Sequence, residues 1–257
     1  MEIGSITQGG IDVALVVLYA FWLFFAGLIF YIRREDRREG YPLVSEIDGK
    51  PIDHGFLWVP EPKTFKLPDG TIQTAPREEV DPREIKAKPT EGWPGAPLEP
   101  TGDPMIDAVG PAAYALRKEK PELTELGETR MAPMRVATDF SVEEEDPDPR
   151  GMPVIAADGE VAGTVSDIWV DRAEPRISFL EVKVAATGRN VLLPMTFARV
   201  DGSSRQVKVA SILARHFANV PTLKNPNEVT AREEDQISAY YAGGHLYAKP
   251  ERTEPLL

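Results

Sequence analysis

The chain contains no cysteine, which excludes disulfides, thiolate nucleophiles and cysteine metal sites. It is also short of histidine. The three present, His54, His216 and His245, include no pair spaced i,i+3 or i,i+4, so they do not build a zinc centre of the usual kind. No glycine-rich phosphate loop, G-x-S-x-G elbow or H-E-x-x-H helix occurs, and an independent enzyme finds no support in such motifs. Base is scarce relative to acid: 29 lysines and arginines stand against 41 aspartates and glutamates, a formal net charge of −12. Nucleic-acid binders present a basic face to phosphate, so no nucleic-acid partner is expected. An acid-rich surface fits solubility, and it also fits a surface that gathers protons or cations.

What is abundant is apolar length near the start. Val13 to Ile32 is a run of twenty residues without a charge. As a helix it spans about 30 Å, the thickness of a bilayer's hydrocarbon core. Only Glu2 and Asp12 carry charge before it, whereas four arginines, Arg33, Arg34, Arg37 and Arg38, follow at once. The positive-inside rule then places the C-terminal side in the cytoplasm and residues 1–11 outside, a single pass through the membrane. A signal peptide fits poorly, since it needs a basic start, a shorter core and a small-residue cleavage site. A buried helix of a soluble protein fits poorly too, because this run is apolar on every face.

Twelve of the 24 prolines fall between Pro42 and Pro104, which nearly forbids regular helix there. Phe56, Leu57, Trp58, Phe65, Leu67, Ile72 and Trp93 supply apolar anchors, so an extended segment laid over another surface is expected rather than a free tether. Within it, TFKLPDGTIQTA reads as a hairpin turning at Asp69-Gly70. A short helical turn is expected after Gly110-Pro111.

From Met134 to about Ile212 the pattern becomes β. Two strands hinge at Asp158-Gly159, and RISFLEVKVA alternates, with Ile177, Phe179, Glu181 and Lys183 on one face. Five or six short strands at this spacing predict a small antiparallel barrel or sandwich. Residues 213–220 read as a short helix or turn. Thr230-x-x-Glu233 opens a C-terminal helix over about 230–242, with Gly243-Gly244 as its stop. The expected organisation is an outer tail (1–11), a transmembrane helix (12–32), an extended proline-rich segment (33–105), and a mainly β globular domain (106–257) with its barrel at about 134–215.

The span followed by RREDRREGYPL, then PKTFKLPDG, PTGDPMIDAVGPAAYALR, DIWVDRAEPRISFLEV and FANVPTLKNPNEVTAREEDQISAYYAGGHLYA, resembles the H subunit of the purple-bacterial photosynthetic reaction centre. The β region by itself resembles the PRC-barrel. The resemblance implies a subunit with no catalytic centre that binds no cofactor directly. Bacteriochlorophyll, bacteriopheophytin, quinones and non-haem iron would reside in the L and M subunits. It implies a cap on the cytoplasmic face of L and M, proximity to a light-harvesting 1 ring, to membrane lipids and to a cytochrome subunit, and acidic residues on the proton route to the secondary quinone. It also implies that the membrane is the bacterial inner, intracytoplasmic photosynthetic membrane, with residues 1–11 in the periplasm.

Among those acids, Asp171 and Glu174 match family positions near the proton route, Glu174 lying nearest the quinone pocket in the family. Both fall in a charged loop between two strands, where the plain reading is solvation. Arg176 is placed to tune their charge, and Glu122 matches a family acid near the surface where protons enter. Some members carry an aspartate and two histidines just beyond that acid. Here the stretch is Thr124, Glu125, Leu126, Gly127 and Glu128, so no metal binding is carried over, and Glu125 and Glu128 are left as substitute acids or plain surface. The run Glu143–Asp148 reads as an exposed loop. Two other readings compete: a membrane-tethered PRC-barrel binding module, and a membrane-bound enzyme.

Overall fold

The computed structural model describes residues 12–45, 50–53, 55–56, 58–75 and 81–253. The outer tail at 1–11 and the anchor Leu57 lie outside them. The chain falls into two compact units, residues 1–82 and 83–257.

In the first unit, α1 (Val13–Glu35) begins where Asp12 accepts hydrogen bonds from the N–H groups of Ala14 (2.9 Å) and Leu15 (3.3 Å). That satisfies two of the orphan donors at a helix start. The most apolar eighteen-residue stretch of the helix has a mean hydropathy of 2.6, and none of the helix's residues is buried within the chain. Leu23 is 76% exposed. Full burial of such a side chain is worth about 1.5–3 kcal/mol, so an all-round apolar helix left uncovered belongs in lipid or against partners.

The predicted hairpin forms from β1 (Lys63–Lys66) and β2 (Ile72–Ala75), paired antiparallel. Its turn is fixed by Asp69, which accepts from the N–H (3.0 Å) and hydroxyl (2.6 Å) of Thr71, with Gly70 at φ 81°. Arg38 ties the hairpin to the end of α1. Its Nη1 donates to the carbonyls of Glu61 (2.5 Å) and Ala75 (3.1 Å), while Nε donates to Glu35 (2.8 Å). The expected apolar anchors are present and mostly uncovered, as with Phe56 at 75% and Trp58 at 53% exposure.

The second unit opens with a two-stranded ladder, β3 (Ala87–Pro89) against β4 (Leu98–Pro100). Residues 83–105, which the sequence groups with the extended segment, therefore lie in this unit. The turn after Gly110-Pro111 is a 3₁₀ helix, Gly110–Ala112. Then come β5 (Met131–Pro133), β6 (Pro153–Ile155), β7 (Val161–Asp171), β8 (Arg176–Val184), β9 (Asn190–Pro194), β10 (Ala198–Asp201) and β11 (Gln206–Val209). They form one seven-stranded half-barrel in the order β10-β11-β6-β7-β8-β9, with β5 on the end of β7.

Every pairing is antiparallel except β11 with β6, where Val207 lies beside Val154 in parallel. The expected antiparallel barrel architecture holds, with this single parallel pair added to it. Register shifts in β7 between Val165 and Asp167 and between Trp169 and Val170 mark the bulges that curl such a sheet. The last strand, β11, lies alongside β6 with the same chain direction.

The core lies inside this curl and under α2 (Ala231–Tyr247), with Ile168, Trp169, Leu180, Phe217, Ile237 and Tyr241 fully buried. The Thr230 cap is as expected: its hydroxyl accepts from the Glu233 N–H (3.2 Å), and Glu233 reaches back to the Thr230 N–H (2.9 Å). The expected end is not. The helix runs through Gly243-Gly244 to Tyr247 instead of stopping at 242. Those glycines serve close packing: a Cβ on Gly243 would lie 2.6 Å from Ala112 Cβ, and one on Gly244 2.3 Å from Ile212 Cγ2.

Candidate functional site

The sequence-predicted residues Glu122, Asp171, Glu174 and Arg176 come together, and Arg130 joins them. Glu122 and Arg130 stand at the base of a small loop closed by the Leu123–Thr129 bridge and by the Arg130 N–H donating to the Glu122 carbonyl (2.8 Å). Arg130 leads directly into β5, whose Met131 pairs with Asp171 at the end of β7. Across the β7–β8 turn, Asp171 pairs with Arg176. Two sheet registers and one loop closure thus place side chains from four chain positions around one guanidinium.

Asp171 is the anchor. The sequence places it in a charged loop, but it is the last residue of β7 and its side chain is wholly buried. Arg130 Nε donates to its two carboxylate oxygens at 3.0 Å each, and Nη2 donates to Oδ2 at 2.7 Å. Its Oδ1 also accepts from the N–H groups of Ala173 (2.9 Å) and Glu174 (3.2 Å), which shapes the turn. Burial alone pushes this carboxyl up, but the Arg130 hydrogen bonds and the two turn N–H groups outweigh it and hold the group below the usual aspartate range. Asp171 therefore stays ionised, and the same hydrogen bonds raise the Arg130 guanidinium.

The other members are wetter. Glu122 accepts from Arg117 Nη2 (2.5 Å) and Arg130 Nη1 (3.2 Å). Glu174 is 65% exposed, 3.9 Å from Arg130 and 3.8 Å from Arg176, contacts too long to hold it in one pose. Arg176 Nη2 stands 3.9 Å from Asp171 Oδ2. Glu125 is exposed, and Glu128 lies 3.6 Å from Arg172.

Two functional candidates escape the sequence reading. Arg130, the hub, carries no local signal. Glu234, in the first turn of α2, reads in sequence as an ordinary favourable acid at a helix start. In the fold it is half-buried, and burial first, then the Glu122 charge, raise its carboxyl above the usual glutamate range. It lines a cavity of about 360 Å³ together with Arg176, Ser178, Phe179, Met195 and Ser238. The site thus pairs a carboxyl held below the usual range, Asp171, with one raised above it, Glu234.

A family model described as the photosynthetic reaction centre, H-chain N-terminal region, matches residues 4–136, just over half of the chain. The chain belongs to the reaction-centre H-chain family. A second model, the PRC-barrel domain, matches residues 141–214, which hold β6 to β11. As an H chain it is a membrane-anchored member of the reaction-centre complex, with α1 as its apolar anchor. The acid cluster spans both matched regions, with Glu122 and Arg130 in the first and Asp171, Glu174 and Arg176 in the second. Glu234 lies beyond both.

Proposed function

We propose that this H chain caps the cytoplasmic face of the L and M subunits, stabilises their assembly, and passes protons toward the secondary quinone. The chain itself has no catalytic centre in this reading. Bacteriochlorophyll, bacteriopheophytin, quinones and non-haem iron belong to L and M. Helix α1 lies beside the light-harvesting 1 ring and lipid, with a cytochrome subunit in the same complex. In this reading the globular unit is cytoplasmic, which the arginines after Ile32 support through the positive-inside rule.

The observation that carries proton delivery is the convergence of Glu122, Asp171 and Glu174 on Arg130, with Arg176 beside Asp171 and Glu174, next to a cavity lined by Arg176 and by Glu234, whose carboxyl is raised. Glu174 collects a proton on the solvent-facing side of the cluster, where its long ion pairs leave it free to turn. Asp171 remains charged and fixes Arg130 and the turn that carries Glu174. Glu234 holds the proton at the cavity.

The test is Glu174→Gln in the intact complex. Glu174 is exposed, so folding is unaffected by the change. Loss of one positioned proton carrier should slow the second, proton-coupled electron transfer to the quinone about tenfold. The first light-driven charge separation should stay the same. Second-electron kinetics equal to wild type across pH would remove Glu174 from the route.

A further inference from the structure

The arginine-rich end of α1 is not uniformly neutralised. Arg38 is clamped by Glu35, and Arg33 lies 4.0 Å from Asp36. Lys63 bonds Glu35 at 2.5 Å. Arg34 and Arg37 are different: neither makes a hydrogen bond or an ion pair among the described residues. Each is braced on an aromatic face instead, Arg34 over Trp58 at 5.7 Å and Arg37 over Tyr41 at 5.3 Å. The Nε of Arg34 and Nη1 of Arg37 are shielded from solvent and find no acceptor among the described residues.

Three residues apart at the helix end, these side chains are neighbours on one face. A rigid, half-buried guanidinium with unmet donors calls for an acceptor of matching charge, and its flat fork suits the oxygens of a phosphate. Depth selects the source. The apolar run ends at Ile32, so Arg34 and Arg37 follow it within about 3–8 Å of helix rise. That is the headgroup layer, and Tyr31, Tyr41 and Trp58 are the aromatic types that populate it.

We propose that Arg34 and Arg37 form a two-pronged seat for the phosphate of an anionic phospholipid, in the leaflet at the arginine-rich end of α1. Trp58 and Tyr41 hold the two prongs in place and shield them from water, so the charge is not spent on mobile counter-ions. The proposal rests on α1 spanning the membrane and is independent of proton delivery.

The experiment titrates phosphatidylglycerol and phosphatidylcholine into the full chain in mild detergent and counts bound lipid by native mass spectrometry. One phosphatidylglycerol should be held about tenfold more tightly than phosphatidylcholine. Arg34→Gln with Arg37→Gln should abolish that preference, and Arg34→Lys with Arg37→Lys, which keeps the charge but loses the fork, should weaken it only in part. Arg33→Gln, an exposed site beside Asp36, should leave it intact. Preference surviving in the double glutamine variant overturns the proposal, as does equal loss in Arg33→Gln, which would mean diffuse charge. Displacement of the lipid by millimolar inorganic phosphate overturns it in favour of a free-anion site. No preference in the wild-type chain overturns it in favour of a carboxylate on a neighbouring subunit. Carbonate extraction of the chain from native membranes is a separate result that would defeat the spanning reading itself.

Discussion

Gly244→Ala sets two effects of opposite sign against each other. In an exposed helix interior, replacing glycine by alanine is favourable by about 1 kcal/mol through lost unfolded-state freedom. Here the new methyl would lie 2.3 Å from Ile212 Cγ2 and 2.8 Å from the Ser211 carbonyl oxygen. Neither neighbour yields easily. Ile212 is fully buried, and Arg252 Nη1 donates at 2.7 Å to both the Ser211 and Gly244 carbonyls, stitching the two backbones together. Overpacking against a fixed wall costs about 1–3 kcal/mol or more, and a contact this short with main chain belongs at the upper end. The net effect should be a loss of about 2 kcal/mol, which for a unit of this size lowers the melting midpoint by about 4–8 °C. The assay is thermal unfolding of the full chain in detergent, read by tryptophan fluorescence, since Trp169 is wholly buried in the half-barrel. An unchanged or raised midpoint would mean that helix propensity governs this position and that α2 does not pack as tightly as its glycines imply.

Asp171→Asn leaves Arg130 without its charge partner and should cost about 2–3 kcal/mol in denaturant unfolding, less than a fully buried pair because Arg130 keeps 26% of its side chain in solvent. Since the folded carboxyl titrates below its unfolded value of 3.8, its stabilisation is complete above that value and disappears as pH falls through the folded pKa. The wild type should therefore lose stability more steeply than Asp171→Asn as acid is added below about pH 4, and parallel curves would refute the pairing. His216 is held below its usual 6.5, by burial first and by Arg215 second, and its Nδ1 accepts the Leu213 N–H at 3.3 Å. The neutral form is the one that folds, so stability should be full above pH 6.5 and decline as pH falls through the folded value. His216→Gln should flatten that decline, and an unaltered slope would place its origin elsewhere.

What the sequence reveals about this chain is mostly what neighbouring residues decide among themselves. The apolar run of α1, the Asp69-Gly70 hairpin and the Thr230 cap with Glu233 were all legible, because each is closed by residues at most a few positions apart. The same local reasoning makes Gly243-Gly244 a stop signal. It fails there because Ala112 and Ile212, more than thirty positions away in either case, need the room a side chain would fill. Strand alternation fails in a similar way at Glu181. It shares a face with exposed Lys183 in the pattern, yet it is buried and accepts from Trp169 Nε1 (2.9 Å), Asn190 Nδ2 (2.6 Å) and Arg135 Nη1 (2.7 Å). A tryptophan buried in a strand needs a partner for its N–H, and that requirement was the available clue.

The acid cluster divides along the same line. Resemblance named Glu122, Asp171, Glu174 and Arg176 one by one, but their chemistry depends on Arg130, 41 positions before Asp171, which only the β5–β7 register brings across. Without it Asp171 is a solvated loop acid; with it Asp171 is a permanent anion unsuited to taking up protons near neutral pH. Glu234 is driven the other way: burial first, then the charge of Glu122, raises its carboxyl. Two carboxylates are thus driven in opposite directions, one by a guanidinium and one by burial at a packed helix end, and on that difference the proposed division between a fixed charge and a proton carrier rests.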